Sequence, residues 1–197
     1  MQRPPAPDGP DTSVTGDSAL QSQVLEDLTE AVNYRRWQAE LALPHLGDDP
    51  LEIGSGNGDF AATIADAGGR VTASEADPSR LALLRDRFRG SDRVSVREIA
   101  VPITETAQHT SVVAFNVLEH IPDDVGALRA FAGLVRGGGA VVVFVPAFPF
   151  AMSRFDRAIG HQRRYTRGSL VAAMTEAGLR VRTAHYVNAI GLPAWVV

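Results

Sequence analysis

Two histidines and a run of alternating glycines are the residues of this sequence best placed to do chemistry. His120 stands in FNVLEHIPDD and His161 in AIGHQRRY, each in a stretch that follows a strand-like apolar run. Imidazole titrates near neutrality, so either ring could take a proton from a hydroxyl or ammonium nucleophile. Either could equally hydrogen-bond its own loop. The glycines lie in LEIGSGNGDF, residues 51–60, where Gly54, Gly56 and Gly58 follow a short apolar run that holds Glu52. Glycine at alternate positions lets the backbone turn sharply and come close to a ligand. The apolar residues beyond (Phe60, Ala61, Ala62, Ile64) predict a helix whose N-terminus faces the loop. That is the strand–loop–helix form of a nucleotide-type site.

The spacing narrows the ligand. A dinucleotide fingerprint, G-x-G-x-x-G, fails because Asp59 stands at its third glycine. A phosphate-binding P-loop needs a lysine, and every basic residue here is arginine. The remaining pattern, E-x-G-x-G-x-G, resembles the first motif of the class I S-adenosylmethionine (SAM)-dependent methyltransferases. Their cofactor carries a sulfonium cation and no phosphate, so an acidic residue beside the loop makes electrostatic sense. The resemblance implies SAM contacts from Glu52, Gly54, Ser55, Gly56, Asn57 and Gly58. At the next strand end, Glu75 followed by Ala76 offers a carboxylate for the two ribose hydroxyls, with Asp77 as the cap of the following helix. Dinucleotide enzymes use a carboxylate in the same way, so Glu75 alone does not discriminate. After the third strand, either Glu98 or the backbone around Ala100 would meet the adenine.

FNVLEHIPDD is similar to the VLEH-[IV]-PD signature of the type 11-like methyltransferases. This similarity implies that Asn116 and Val117 flank the cofactor and that Glu119 and His120 begin the loop beneath the substrate. Upstream, NYRRW resembles a helix that covers the cofactor, with Tyr34 and either Arg35 or Arg36 at the methionine carboxylate. The other reading of NYRRW is an amphipathic surface helix with Trp37 in the core.

Residues 146–169, PAFPFAMSRFDRAIGHQRRYTRGS, form a long connection rich in aromatic and arginine residues. They resemble the FDR-[AL]-x-GHxRRY element of a bacterial subgroup of these enzymes. Phe148, Arg154, His161, Arg163, Arg164 and Tyr165 are the expected substrate contacts. The arginines would cradle an anionic acceptor, since guanidinium forks match carboxylate and phosphate geometry. The opposing expectation is structural, with internal ion pairs and solvated arginines.

The 197 residues suit one α/β domain, and 45% hydrophobic residues can supply its core. A net charge of −4 gives no general attraction to nucleic acid or anionic membranes. The absence of cysteine removes disulfides and Cys-based zinc sites, and no metal is expected. Without a signal-peptide pattern or a long apolar run, the default location is cytoplasmic.

The elements that must position these residues follow from periodicity. Residues 1–19, rich in proline and small polar types, predict a disordered tail; residues 20–197 predict the methyltransferase domain. Helical and strand patterns alternate, with strands opening LEIGSGNGDF and RVTASEADPSRL, over 94–101, at the start of SVVAFNVLEHIPDD (111–124), and over 140–146 and 179–187. The glycines at 137–139 are expected to end a helix before the fifth strand. This order predicts a Rossmann-like, doubly wound, mostly parallel sheet with helices on both faces. The resemblance implies a sheet of seven strands, the last inserted between the fifth and sixth; six can be counted here. The seventh is either missing, supplied by a partner or cut off by truncation, and a monomer or homodimer is expected. The function expected is methyl transfer from SAM to an oxygen or nitrogen of a small, anionic molecule. The alternative is a non-catalytic SAM-binding regulatory or scaffolding protein.

Overall fold

The computed structural model describes residues 20–21, 32–103 and 108–187. The expected tail over 1–19 and the residues after 187 lie outside the described residues. Within them the elements run α1 (Val32–Ala42), β1 (Pro50–Ile53), α2 (Asp59–Asp66), β2 (Val71–Glu75), α3 (Pro78–Arg87), β3 (Val94–Glu98), β4 (His109–Phe115), α4 (Asp124–Gly133), β5 (Val135–Phe144), α5 (Arg154–Ala158) and α6 (Arg167–Glu176). Short 3-10 turns sit at Leu43–His45, Leu118–His120 and Pro149–Ala151.

The five strands form a parallel sheet in the order β3-β2-β1-β4-β5. β1 and β2 are buried at every position, as central strands covered on both faces must be. The alternation of side chains along each strand assigns two cores. Leu51, Ile53, Val112 and Ala114 pack with Leu128 and Phe131 of α4 and Ala173 of α6. Ala73 and Val113 pack on the other face with Ala39 of α1, Phe60 and Ile64 of α2 and Leu84 of α3. The chain therefore winds helices onto both faces, and its direction of travel reverses between β1 and β4. Ligands of open parallel sheets bind beyond the carboxyl ends of the strands at that reversal.

Two expectations are corrected. The glycines at 137–139 lie inside β5 rather than before it. Pairing shifts from His109↔Val135 to Ser111↔Ala140, so the glycine run bulges out of the ladder. A Cβ on Gly139 would stand 2.3 Å from the backbone oxygen of Thr110, which explains glycine at that point. The second correction is the sixth strand: residues 179–187 carry no strand pairing. A strand exists through its ladder partner, and among the described residues β5 pairs only with β4. Residues 180–187 and most of β5 instead line one cleft.

Candidate functional site

The glycine loop joins β1 to α2, and Gly54, Gly56 and Gly58 all have positive φ, at 69°, 53° and 78°. A Cβ on Gly54 would fall 2.6 Å from a methyl of Val117, so this glycine lets the loops after β1 and β4 touch. Glu75, at the end of β2, ties the glycine loop from below. Its carboxylate accepts the N–H of Gly56 at 3.0 Å and those of Ala76 and Asp77 at 2.9 Å each. Asp77 caps α3 as expected, accepting from Ser79 and Arg80 N–H at 3.0 Å.

Glu52 behaves differently from the carboxylate imagined beside a sulfonium. It is buried beneath the loop, accepts the Ser55 hydroxyl at 2.8 Å, and is absent from the cleft wall. Burial pushes its carboxyl up to about 7, against the pull of the Ser55 hydrogen bond. Ser55, Asn57, Gly58 and Ala100 also stand off the cleft lining, whereas Tyr34, Gly54, Gly56, Glu75, Ala76, Asn116 and Val117 are on it. Arg35 pairs with Asp59 and Arg36 with Glu40, so neither faces the cleft. Glu98 is exposed, 4.0 Å from Arg85, and the apolar side chains of Ile99 and Val101 take the place expected for it on the wall. Gln38, one helical turn from Tyr34 on the same face of α1, is a lining residue that the sequence did not single out.

Asn116 follows β4 with φ 52°, a conformation asparagine tolerates better than most residues. The chain then turns through Leu118–His120 and presents Glu119 and His120. These meet the GHQRRY segment. The N–H of Gln162 donates to the Glu119 carbonyl at 2.7 Å, and the His120 and His161 rings make an edge contact at 4.6 Å.

The expected arginine cradle is spent on the loop itself. Arg163 donates to the carbonyls of Ile121 and Pro122 at 2.9 and 2.6 Å, and its guanidinium is 3.2 Å from Asp124. Arg164 donates to Asp156 at 2.8 Å and to the Ala147 carbonyl at 3.2 Å. Tyr165 donates its hydroxyl to Asp124 at 2.8 Å, and burial with that partner holds the phenol well above its ordinary pKa. Arg154 is exposed and off the cleft. Of the expected substrate contacts, Phe148, His161, Arg164 and Tyr165 line the cleft. Phe148, at φ 65°, stacks on Tyr186 at 4.8 Å.

Asp156 is the residue that organises this loop; it lies in the FDR element, and the internal ion pair it forms is with Arg164 rather than with its neighbour Arg157, which donates to the Ser153 carbonyl. Asp156 is fully buried. Burial opposes its ionisation, but hydrogen bonds from Arg164 and Ser153 outweigh that and hold its carboxyl down at about 2. An ionised carboxylate only accepts, so His161 Nδ1, 2.9 Å away, carries the proton. Burial keeps His161 below its usual pKa despite Asp156. Its Nε2 lone pair therefore faces Glu119, whose Oε1 lies 3.8 Å away. The cysteine-free sequence gives no metal expectation, yet Glu119, His120 and His161 bring ligand atoms within 4.8 Å of one another.

The cleft measures about 1600 Å³, larger than an ordinary small-molecule site, because it joins the strand-end pocket to the open edge of β5. A methyltransferase-domain family model matches residues 51–141, from the start of the glycine loop's strand into β5. A protein of Mycobacterium tuberculosis named "Probable S-adenosylmethionine-dependent methyltransferase Rv3030" is 28% identical over 172 residues, covering 84% of this chain and 61% of that one. Residues 51–141 thus match a methyltransferase domain, and over most of its length the chain is similar to SAM-dependent methyltransferases.

A ubiquinone biosynthesis O-methyltransferase of Bordetella avium is 36% identical over 110 residues, 53% of this chain. The chain spans 45% of that relative's length. Among solved structures, the [4+2]-cyclase SpnF aligns with TM-score 0.61 and 17% identity, covering 86% of this chain and 75% of that one. The SAM complex of the glycopeptide N-methyltransferase MtfA aligns with TM-score 0.53 and 22% identity, over 60% and 53%. These likenesses show the fold. SAM is the family's cofactor, and the donor set of the cleft fits it. At the strand ends the Glu75 carboxylate, 3.5 Å from Arg80, meets the apolar walls of Ile99, Val101 and Val117. No helix among the described residues is long and apolar enough to cross a membrane.

Proposed function

We propose that the protein transfers the methyl group of SAM to an oxygen of a small hydroxylated molecule. One arrangement carries the reading. Gly54, Gly56, Glu75 and Asn116 form the wall of the cleft at the sheet's reversal, and Glu119, His120 and His161 stand on the same cleft after β4 and β5. Glu75 would take the ribose hydroxyls, Ile99 and Val101 the adenine, and Tyr34 with Gln38 the amino-acid end. Oxygen is favoured over nitrogen by the O-methyltransferase name of the Bordetella relative. An anionic acceptor is not favoured, since Arg163 and Arg164 already serve carbonyls and carboxylates of their own chain.

SAM supplies an electrophilic methyl carbon, whose bond to sulfur breaks as the bond to the acceptor oxygen forms. The chain's own work is to align the acceptor, exclude water and accept the hydroxyl proton. Phe148 and Tyr165 give the acceptor an apolar wall. The Asp156–His161 pair presents a neutral Nε2 with its lone pair toward the cleft cluster, the orientation that an acceptor hydroxyl needs.

The test is calorimetry with SAM and S-adenosylhomocysteine, followed by transfer from methyl-labelled SAM to panels of phenols, catechols and amines. Label on a phenol or catechol oxygen supports the proposal. Absence of SAM binding overturns it, and so does labelling confined to amines. Tight SAM binding with no transfer to any panel favours a regulatory SAM-binding role.

A further inference from the structure

Glu119 is the most unusual side chain of the molecule. It is completely buried, and among the described residues no side chain or other residue's backbone hydrogen-bonds either carboxylate oxygen, leaving only the N–H of Glu119 itself to act on it. Buried polar groups are almost always satisfied, because leaving one unpaired costs its full desolvation. Burial has pushed this carboxyl up to about 8. A protonated Glu119 would donate to His161 Nε2, but the 3.8 Å separation is too long for that bond. Two electron-rich groups, a carboxylate oxygen and an imidazole lone pair, thus face each other across a gap that neither closes.

We propose that Glu119, His120 and His161 bind one divalent transition-metal ion of the zinc class at the acceptor end of the cleft. Their ligand atoms already lie within 4.8 Å of one another. Tetrahedral ligands at about 2.1 Å from a metal are about 3.4 Å apart, so the widest pair must close by roughly an ångström. The 3.8 Å pair needs much less. The outer shell is already in place. Asp156 accepts the Nδ1–H of His161, fixing its tautomer and ring angle as carboxylates do behind metal-bound histidines. Arg164 in turn neutralises Asp156, and an ion bound at Glu119 would displace the proton that burial holds on its carboxyl. Two imidazoles and one carboxylate suit Zn²⁺, Mn²⁺ or Fe²⁺ better than Mg²⁺ or Ca²⁺, which prefer oxygen ligands.

Three protein ligands leave a position open to an incoming molecule. A hydroxyl oxygen bound there would become more acidic and lose its proton to solvent before methyl transfer, so His161 would act as a ligand when the ion is bound and as the proton acceptor only when it is not. That catalytic use rests on the methyl-transfer reading; the binding site itself does not.

The experiment takes full-length protein stripped with chelator. Zn²⁺ is measured by competition with a chromogenic chelator and Mn²⁺ by electron paramagnetic resonance. SAM affinity is measured in parallel on the stripped protein. One ion per chain is expected, with affinity falling at least about 100-fold in Glu119→Gln and in His120→Asn. Glu119→Gln keeps the side chain's shape, and its retained SAM affinity shows that it folds. Absence of Zn²⁺ and Mn²⁺ binding in the wild type overturns the site, as does affinity unchanged in both variants. Loss of SAM binding with cation binding intact overturns the methyl-transfer reading and leaves the site standing.

Discussion

His161 Nδ1 lies 2.9 Å from Asp156 Oδ1, and this bond decides which nitrogen of the ring can act. Asp156→Asn keeps the size of the partner but removes the charge that fixes the tautomer. We expect kcat, or cation affinity, to fall about 10–100-fold with SAM affinity retained. A pH–rate profile measured beside the wild type checks the assignment, because a merely structural role would leave its shape unmoved.

Glu119 and Glu52 have folded-state pKa values raised to about 8 and about 7. Each binds its proton more tightly when folded than when unfolded. Their contribution is therefore fully present below about 4.5, the unfolded value, and is lost as pH rises through the folded value. Chelator-treated protein should lose stability between pH 5 and pH 8, by roughly 3 kcal/mol at most from Glu52. Urea midpoints across that range, with Glu52→Gln as comparison, measure it. The variant should show a flatter curve below about pH 7.

Arg164→Leu is expected to act on stability. It leaves the buried, ionised Asp156 without its guanidinium, a loss of about 3–5 kcal/mol. Arg163→Ala should cost less, about 1–3 kcal/mol, since it strands two carbonyls and its ion partner Asp124 is partly exposed and still accepts from Tyr165. Thermal denaturation of both, with acceptor KM on whatever folds, separates this from a cradle. A cradle would raise KM and leave the melting temperature alone.

Gly54→Ala brings a Cβ to 2.6 Å from Val117 at a residue with φ 69°. The expected result is destabilisation of about 1–3 kcal/mol and at least tenfold weaker SAM binding. Gly68→Ala is the control. Its φ is similarly positive, at 86°, but nothing lies within 4 Å of the added Cβ, so only the backbone strain remains.

The alternation of strands with helices and the glycine loop were legible because they are local. Apolar runs, Gly54–Gly58 and the Asp77 cap each declare themselves within a few residues. The triple glycine misled because a helix end and a strand bulge use the same residue, and only the pairing of β4 with β5 separates them. GHQRRY announced positive charge, but charge in sequence does not say whom it serves. Arg163 and Arg164 find their partners at Ile121, Pro122 and Asp156 only after the chain folds back. The same is true of Glu119 and His161, which are distant in sequence and whose meeting no motif spells out.

The Gln162 N–H to Glu119 carbonyl bond sews the loop after β4 to the loop after β5. Those loops divide the reactive cluster between them, with Glu119 and His120 on one and His161 on the other. Swapping residues 146–169 for the equivalent stretch of a relative would transplant half of a working unit. Changing the acceptor by grafting would require moving both loops together, along with the aspartate that holds them.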